Sequence, residues 1–228
     1  MIFHRIKDPI NFTYKLNNVD IKSCETVTDL GVVFDHEIRF HLHINNVASR
    51  ASSTLGFVKR WSKEFNSPTV TRHLYISLVR PILEYACQVW TPYYQNGSER
   101  VEKVQKRFVR FALSSLPWND PIALPPYTNR LELLDLHPLY KRREVADLVF
   151  LHGLLNFNIS CPFLYDKITF NTNRYVLRTN AIFTLPFCRF NYAKHEATVR
   201  MCNLANNSTP NFRLDITKLC LKKNLYNN

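Results

Sequence analysis

Glu99-Arg100-Val101-Glu102-Lys103-Val104-Gln105-Lys106-Arg107-Phe108-Val109-Arg110-Phe111 is the stretch on which the fold class turns. Val101, Val104, Phe108 and Phe111 recur at three- and four-residue spacing, so one face of a helix is apolar. Arg100, Lys103, Arg107 and Arg110 keep the same rhythm on an adjacent face. Glu99 with Lys103, and Glu102 with Lys106, add i,i+4 pairs in the favourable order. Asn96-Gly97-Ser98 is expected to turn the chain just before this helix.

The pattern continues on either side. Ile44, Val47, Ala48, Ala51, Leu55 and Val58 form a second amphipathic helix that ends in Lys59-Arg60, cations suited to the negative end of the dipole. Ser67-Pro68 caps and starts a third helix. Leu74, Leu78 and Ile82 make its stripe, and Pro81 should kink or divide it. Pro117, Pro121, Pro125 and Pro126 predict a rigid, extended connection. Leu139 to Leu155 is another helix, with Val145, Leu148, Val149 and His152 inward. Toward the N-terminus, Phe12–Leu16 and Val19–Ile21 flank Asn17-Asn18, a hairpin turn, and Val27–Phe34 is a second β-rich run. Beyond about residue 157 periodicity fades into short helices and loops. The expected fold is mainly α with a small N-terminal β element (α+β): a helical bundle plus an irregular C-terminal third.

With 30 Lys+Arg against 18 Asp+Glu, the chain carries a formal net charge of +12, which favours a polyanionic partner. Charges of both signs are interspersed, which describes a basic folded protein and not a basic tail. No apolar run approaches the length of a membrane-spanning helix, and charge interrupts the N-terminus too early for a signal peptide, so an intracellular protein without membrane contact is expected. Cys24, Cys87, Cys161, Cys188, Cys202 and Cys220 stand singly, which argues against zinc and for reduced, mostly buried thiols. The isolated glycines Gly31, Gly56, Gly97 and Gly153 cannot build a phosphate loop.

Leu78-Val79-Arg80-Pro81-Ile82-Leu83-Glu84-Tyr85-Ala86-Cys87-Gln88-Val89-Trp90 resembles the "SLVRPILEYA..VW" signature downstream of the polymerase active site in reverse transcriptases of jockey-like non-LTR retrotransposons. Further blocks follow the family's order. Thr28-Asp29-Leu30-Gly31-Val32 with Phe34-Asp35 is similar to "DLGV.FD", and Phe40 to Ile44 to "F..HI". Val101 to Phe108 is similar to "(I/V)E.VQ+RF", Arg130 to Leu136 to "RL..L.L", and Lys141 to Asp147 to "+RR..AD". The resemblance implies the region after the catalytic palm. Residues 1–35 would be the last palm strands, 36–115 thumb-like helices and 116–228 the C-terminal connection. It further implies a template–primer-holding role, with an RNA–DNA hybrid or RNA as partner and the missing palm and fingers as neighbours in a full-length enzyme. That enzyme would use magnesium; this chain is expected to need no cofactor.

The chemistry read from the residues agrees with a non-catalytic piece. Nucleotidyl transfer needs clustered carboxylates around two metal ions. The one echo of the family's acidic hairpin, Tyr85-Ala86-Cys87-Gln88, has no acid, so the chain alone is expected not to be an enzyme. His41 and His43 alternate without further ligands nearby, so a core or capping role is expected for His43 and no metal site. His152 reads as a core histidine. Arg100, Lys103, Lys106, Arg107 and Arg110 are the leading nucleic-acid-binding candidates, able to follow a phosphate backbone. Lys59-Arg60 beside Trp61, and Lys141-Arg142-Arg143, are weaker candidates. Trp61, Tyr93 and Tyr94 could stack bases, but core packing is the default expectation for each. The competing reading is a protein-interaction or structural remnant without nucleic-acid affinity.

Overall fold

In the computed structural model, which describes residues 1–6, 12–62, 64–65, 67–114, 125–172, 181–208, 212–214 and 216–226, the N-terminal strands are made by two tight turns. Asn17 and Asn18 adopt φ 49° and 64°, the left-handed values that Asn tolerates, and close β1 (Lys15–Leu16) onto β2 (Val19–Asp20). The second β-rich run is itself a hairpin. Leu30 (φ 45°) and Gly31 (φ 81°) turn β3 (Thr26–Asp29) back onto β4 (Val32–Asp35), with Val27 opposite Phe34. Asp35 then fixes the approach to the first helix. Its Oδ1 accepts the backbone N–H of Glu37 and of Arg39, both at 3.0 Å, and its Oδ2 that of Phe40 at 2.9 Å.

The fold is mainly α with small two-stranded antiparallel sheets. It divides into two compact units, Met1–Ala86 with Trp90–Leu136, and Cys87–Val89 with His137–Asn228. The first unit holds the strands above, α1 (His41–Ser62), α2 (Pro68–Leu74), α3 (Arg80–Glu84), the last residue of α4 (Cys87–Trp90), α5 (Gln95–Ala112) and α6 (Tyr127–Leu133). The first unit reaches residue 136, and hydrogen bonds tie residues 125–136 to its helices. Tyr127 Oη donates to Glu102 Oε1 at 2.6 Å, and the Arg72 guanidinium donates to the Leu134 carbonyl (2.5 Å) and the Asp135 carboxylate (2.6 Å). The Pro-rich connection falls, between 115 and 124, outside the described residues.

Pro68 starts α2 as expected, but the Ser67 side chain makes no capping bond. Between α2 and α3 the chain neither breaks nor divides. Tyr75–Val79 is a π-helical turn in which the Arg80 N–H reaches the Tyr75 carbonyl. That wider turn absorbs Pro81, whose ring would clash in a regular α-helix. It also changes the stripe. Thr71, Tyr75, Val79 and Leu83 are buried, whereas Leu78 is 40% exposed. A strict four-residue period drifts by roughly 40° per step in an α-helix, and the π turn resets it. Gly97 lies within the first turn of α5, not in a preceding bend, and packs close to Ile44 and Pro92.

The core of this unit joins α1, the π turn and α5. Tyr75 stacks flat on Phe108, centroids 4.0 Å apart, and Leu55, Val58, Val101 and Val104 are buried. Beside the stack runs a buried polar chain. Tyr75 Oη donates to Gln105 Oε1 (2.8 Å), Gln105 Nε2 to Tyr127 Oη (3.1 Å), and Tyr127 to Glu102. Burial and the neighbouring Glu102 push the Tyr127 hydroxyl far above its ordinary pKa, so it stays a donor. Glu102 is thus an internal acceptor and not a surface mate of Lys106.

His43 is buried as expected, and its Nδ1 accepts the Val33 N–H at 3.2 Å. Burial, and secondarily Arg50, lower its pKa below 6.5. The unfolded chain therefore binds the proton more tightly. Stability contributed by neutral His43 is complete above 6.5 and is lost as pH falls through the folded value. Urea midpoints measured from pH 7.5 down to 5 should fall, and His43→Gln should flatten that fall.

The second unit contains α7 (Leu139–Leu155), α8 (Pro162–Tyr165), β5 (Thr169–Phe170), β6 (Phe183–Thr184), α9 (Asn191–Lys194), α10 (Ala197–Asn207) and α11 (Lys218–Tyr226). Helix α7 spans the residues its periodicity predicts, and packs Val145, Leu148, Val149 and Leu151 against Phe183, Met201, Phe212 and Leu221. His152 is buried and bonded to the Ile216 carbonyl at 3.0 Å. Asn206 pins β6 by exchanging two 2.9 Å bonds with the Phe183 backbone. The thiols divide more evenly than expected: Cys87 and Cys202 are buried, Cys24 and Cys220 exposed. Burial pushes the Cys202 thiol up to about 11.

Candidate nucleic-acid interface

Helix α5 buries Val101, Val104, Gln105 and Phe108, and this fixes what its other side must show. Arg100, Lys103, Lys106, Arg107 and Arg110 are all exposed. At 3.6 residues per turn they share an arc of roughly 120°. Their chemistry is not uniform. The Arg100 guanidinium donates to Asn45 Oδ1 on α1, and the Lys106 ammonium lies 5.3 Å from the centre of the Tyr127 ring. Among the described residues, Lys103, Arg107 and Arg110 form no ion pair with an acid.

Lys59 joins this stripe from the last turn of α1. Its ammonium sits 5.2 Å from the centre of the Phe111 ring. Partial burial, then the Arg107 charge, lower its pKa below 10.5. The Arg107 contribution reflects two cations brought close together where α1 packs on α5. In the sequence Lys59 and Arg107 fall in separate motifs; the signal that joins them is the packing of α1 on α5, which neither periodicity displays. Arg60 is exposed at the same helix end.

Lys141-Arg142-Arg143 fares differently. Arg143 is 3% exposed and buried on the inner side of α7, so it drops out of any surface set. Arg142 turns to Tyr226, its Nη1 donating to the hydroxyl at 3.3 Å, while His137 stacks on that same ring at 4.4 Å. Lys141 is half-buried and lies near Glu144, whose carboxyl burial pushes up and Lys141 pulls down. The triplet reads better as internal architecture than as a phosphate site.

Core packing was the default for the aromatics, and the structure corrects it for Trp61. Trp61 is 58% exposed, tilted against Phe57 at 5.9 Å. Tyr94 is also exposed and stacks on His41 at 5.5 Å.

Among the described residues no three His, Cys, Asp or Glu side chains gather. At the echo of the acidic hairpin, Cys87 is buried and Gln88 is an amide, so these residues do not fit the paired magnesium ions of a polymerase. No helix among the described residues is long and apolar enough to cross a membrane. Comparison with family models, with curated proteins and with solved structures finds no match to this chain.

Proposed function

We propose that the first unit holds double-stranded nucleic acid, an RNA–DNA hybrid by preference, through its phosphate backbone and without catalysing any reaction. The observation that carries the reading is the arc of exposed cations on α5, extended by Lys59, whose charge no acid among the described residues offsets. Successive cations about one turn apart suit sequence-independent phosphate contact, and A-form duplexes are recognised by shape and backbone. The choice of a hybrid over other duplexes rests on the resemblance to the post-palm region of retrotransposon reverse transcriptases.

The test is the quadruple variant Lys103→Gln, Lys106→Gln, Arg107→Gln and Arg110→Gln. It is expected to weaken hybrid binding regardless of base sequence. The slope of log K against log salt should fall by roughly 0.7–0.9 for each phosphate the variant no longer neutralises. Thermal stability should hardly change, because these side chains lie off the buried face. Unchanged affinity and slope would make the stripe ordinary solvated surface. A second reading, a protein-interaction remnant, draws on the exposed aromatics of the other unit: Phe157 is 80% and Phe187 95% exposed. No binding of hybrid by the unaltered protein at low salt would favour it.

A further inference from the structure

Helix α1 presents a second face that the phosphate stripe does not use. His43, Val47 and Arg50 fall within an arc of roughly 60° on the helix, whereas Asn45, which meets Arg100 of α5, lies roughly 140–160° round from them at about 100° per residue. Over this face opens a pocket of about 370 Å³, walled by Val47, Pro81, Ile82 and Tyr85. The volume is within the range of small-molecule sites, about 300–1,000 Å³.

Three groups give the pocket its chemistry. The first is His43, 3% exposed, which lines it. Because Nδ1 accepts the Val33 N–H, the neutral ring carries its proton on Nε2, and Nε2 has no hydrogen-bond partner in the structure. The ring also meets Trp90 edge-to-face at 5.1 Å, which holds its plane. A buried donor without an acceptor is costly, so it marks a place where a ligand atom can bring one. The second is Arg50, exposed and in no ion pair among the described residues. The third is Tyr85, 59% exposed, its ring oriented by the hydroxyl, which donates to the Leu30 carbonyl at 3.0 Å. Further along the same face of α1, at the spacing 43, 47, 50, 54, 57, 61, stand the exposed rings of Phe57 and Trp61.

We infer that this pocket binds one nucleotide unit: a flat base against Tyr85 and the apolar wall, a base acceptor on His43 Nε2–H, and the phosphate on Arg50. Free nucleotide and a nucleotide of a single strand share that chemistry. The continuation of the face through two exposed aromatics suits the strand, since stacking on aromatic rings is the sequence-tolerant way to hold unpaired bases. The inference shares the nucleic-acid reading above but none of its residues, so the two fail separately.

The experiment is fluorescence anisotropy of a labelled oligouridine and a labelled oligoadenosine on the whole chain, competed by AMP, UMP and inorganic phosphate. Arg50→Gln, at an exposed position outside every ion pair described, should fold normally and weaken oligonucleotide binding about tenfold or more. Ile82→Phe, which fills the pocket, should do likewise. The quadruple Gln variant of α5 should retain this binding while losing the hybrid. Competition by AMP or UMP identifies the free nucleotide as a ligand, and competition only by unlabelled strand identifies the strand. The inference is overturned if the unaltered chain binds none of these, if Arg50→Gln and Ile82→Phe bind like the parent, or if inorganic phosphate competes as well as AMP.

Discussion

Replacing Arg200 with methionine is expected to cost about 3–5 kcal/mol, the penalty for stranding a buried charge. Asp147 on α7 is the charge in question: its side chain is 1% exposed, and Arg200 on α10 is its ion-pair partner, Nε to Oδ2 at 2.8 Å. The same guanidinium donates to the His195 carbonyl at 3.0 Å and to the Gln88 carbonyl at 2.8 Å, so one side chain organises three segments of the second unit. Burial raises the Asp147 pKa above 3.8, with Arg200 and then Arg143 pulling it down. As pH rises from 3.8 through that folded value, the native state takes on a buried charge and stability falls. Removing Arg200 removes the largest downward pull, so the loss in the methionine variant should be greatest at neutral pH and shrink on acidification as Asp147 takes up its proton. Urea unfolding at pH 7 and pH 4.5 measures both. The double variant Asp147→Leu, Arg200→Met should recover most of the loss, since apolar replacement of a buried pair is often neutral or better. A double variant as unstable as the single one would show that the bonds to the two carbonyls, and not the stranded carboxylate, carry the effect.

Much of this was legible where one element decides its own form. The spacing of apolar residues gave α7 to its ends, and Asn17-Asn18 gave its hairpin, because helix period and left-handed turn residues are local properties. What was not legible depends on partners distant in sequence. Glu102 and Gln105 look like surface members of a charged helix until Tyr127 and Tyr75 are brought against them. Leu74, Leu78 and Ile82 look like a stripe until the π turn shifts burial onto Tyr75 and Val79. Within the candidate interface, α5 was readable because its polar face needs no tertiary information. Lys59 was readable as a helix-end cation, but not as a neighbour of Arg107 and Phe111. Arg143 was misplaced because a run of three cations looks like surface, while α7 is buried over so wide an arc that one of them must point inward. The pocket over His43 and Arg50 could not be read at all, since its walls come from a turn at Gly31 and from residues about Pro81.

Phe108→Ala is expected to destabilise the first unit by about 3–5 kcal/mol, through lost transfer energy and the cavity left behind. Phe108 is 0% exposed and covers Tyr75 almost in parallel, the planes 9° apart. Its removal also withdraws the surface that positions the Tyr75 hydroxyl on Gln105, and through it Tyr127 and Glu102. A buried polar chain of this kind loses more than one bond when its end is freed, because each member left unsatisfied carries its own desolvation cost. Phe108→Leu loses the ring but keeps an apolar side chain that leaves a smaller cavity, so it should cost less than Phe108→Ala. The pair separates stability from recognition on α5. Phe108 and Arg107 are adjacent in sequence but project about 100° apart round the helix, one buried and the other exposed, so hybrid binding should survive Phe108→Leu and fail in Phe108→Ala only under conditions where circular dichroism shows unfolding. Binding lost in a folded Phe108→Ala protein would mean that the cation arc depends on core packing to hold its geometry, and α5 would then act as a positioned surface and not as a string of independent charges.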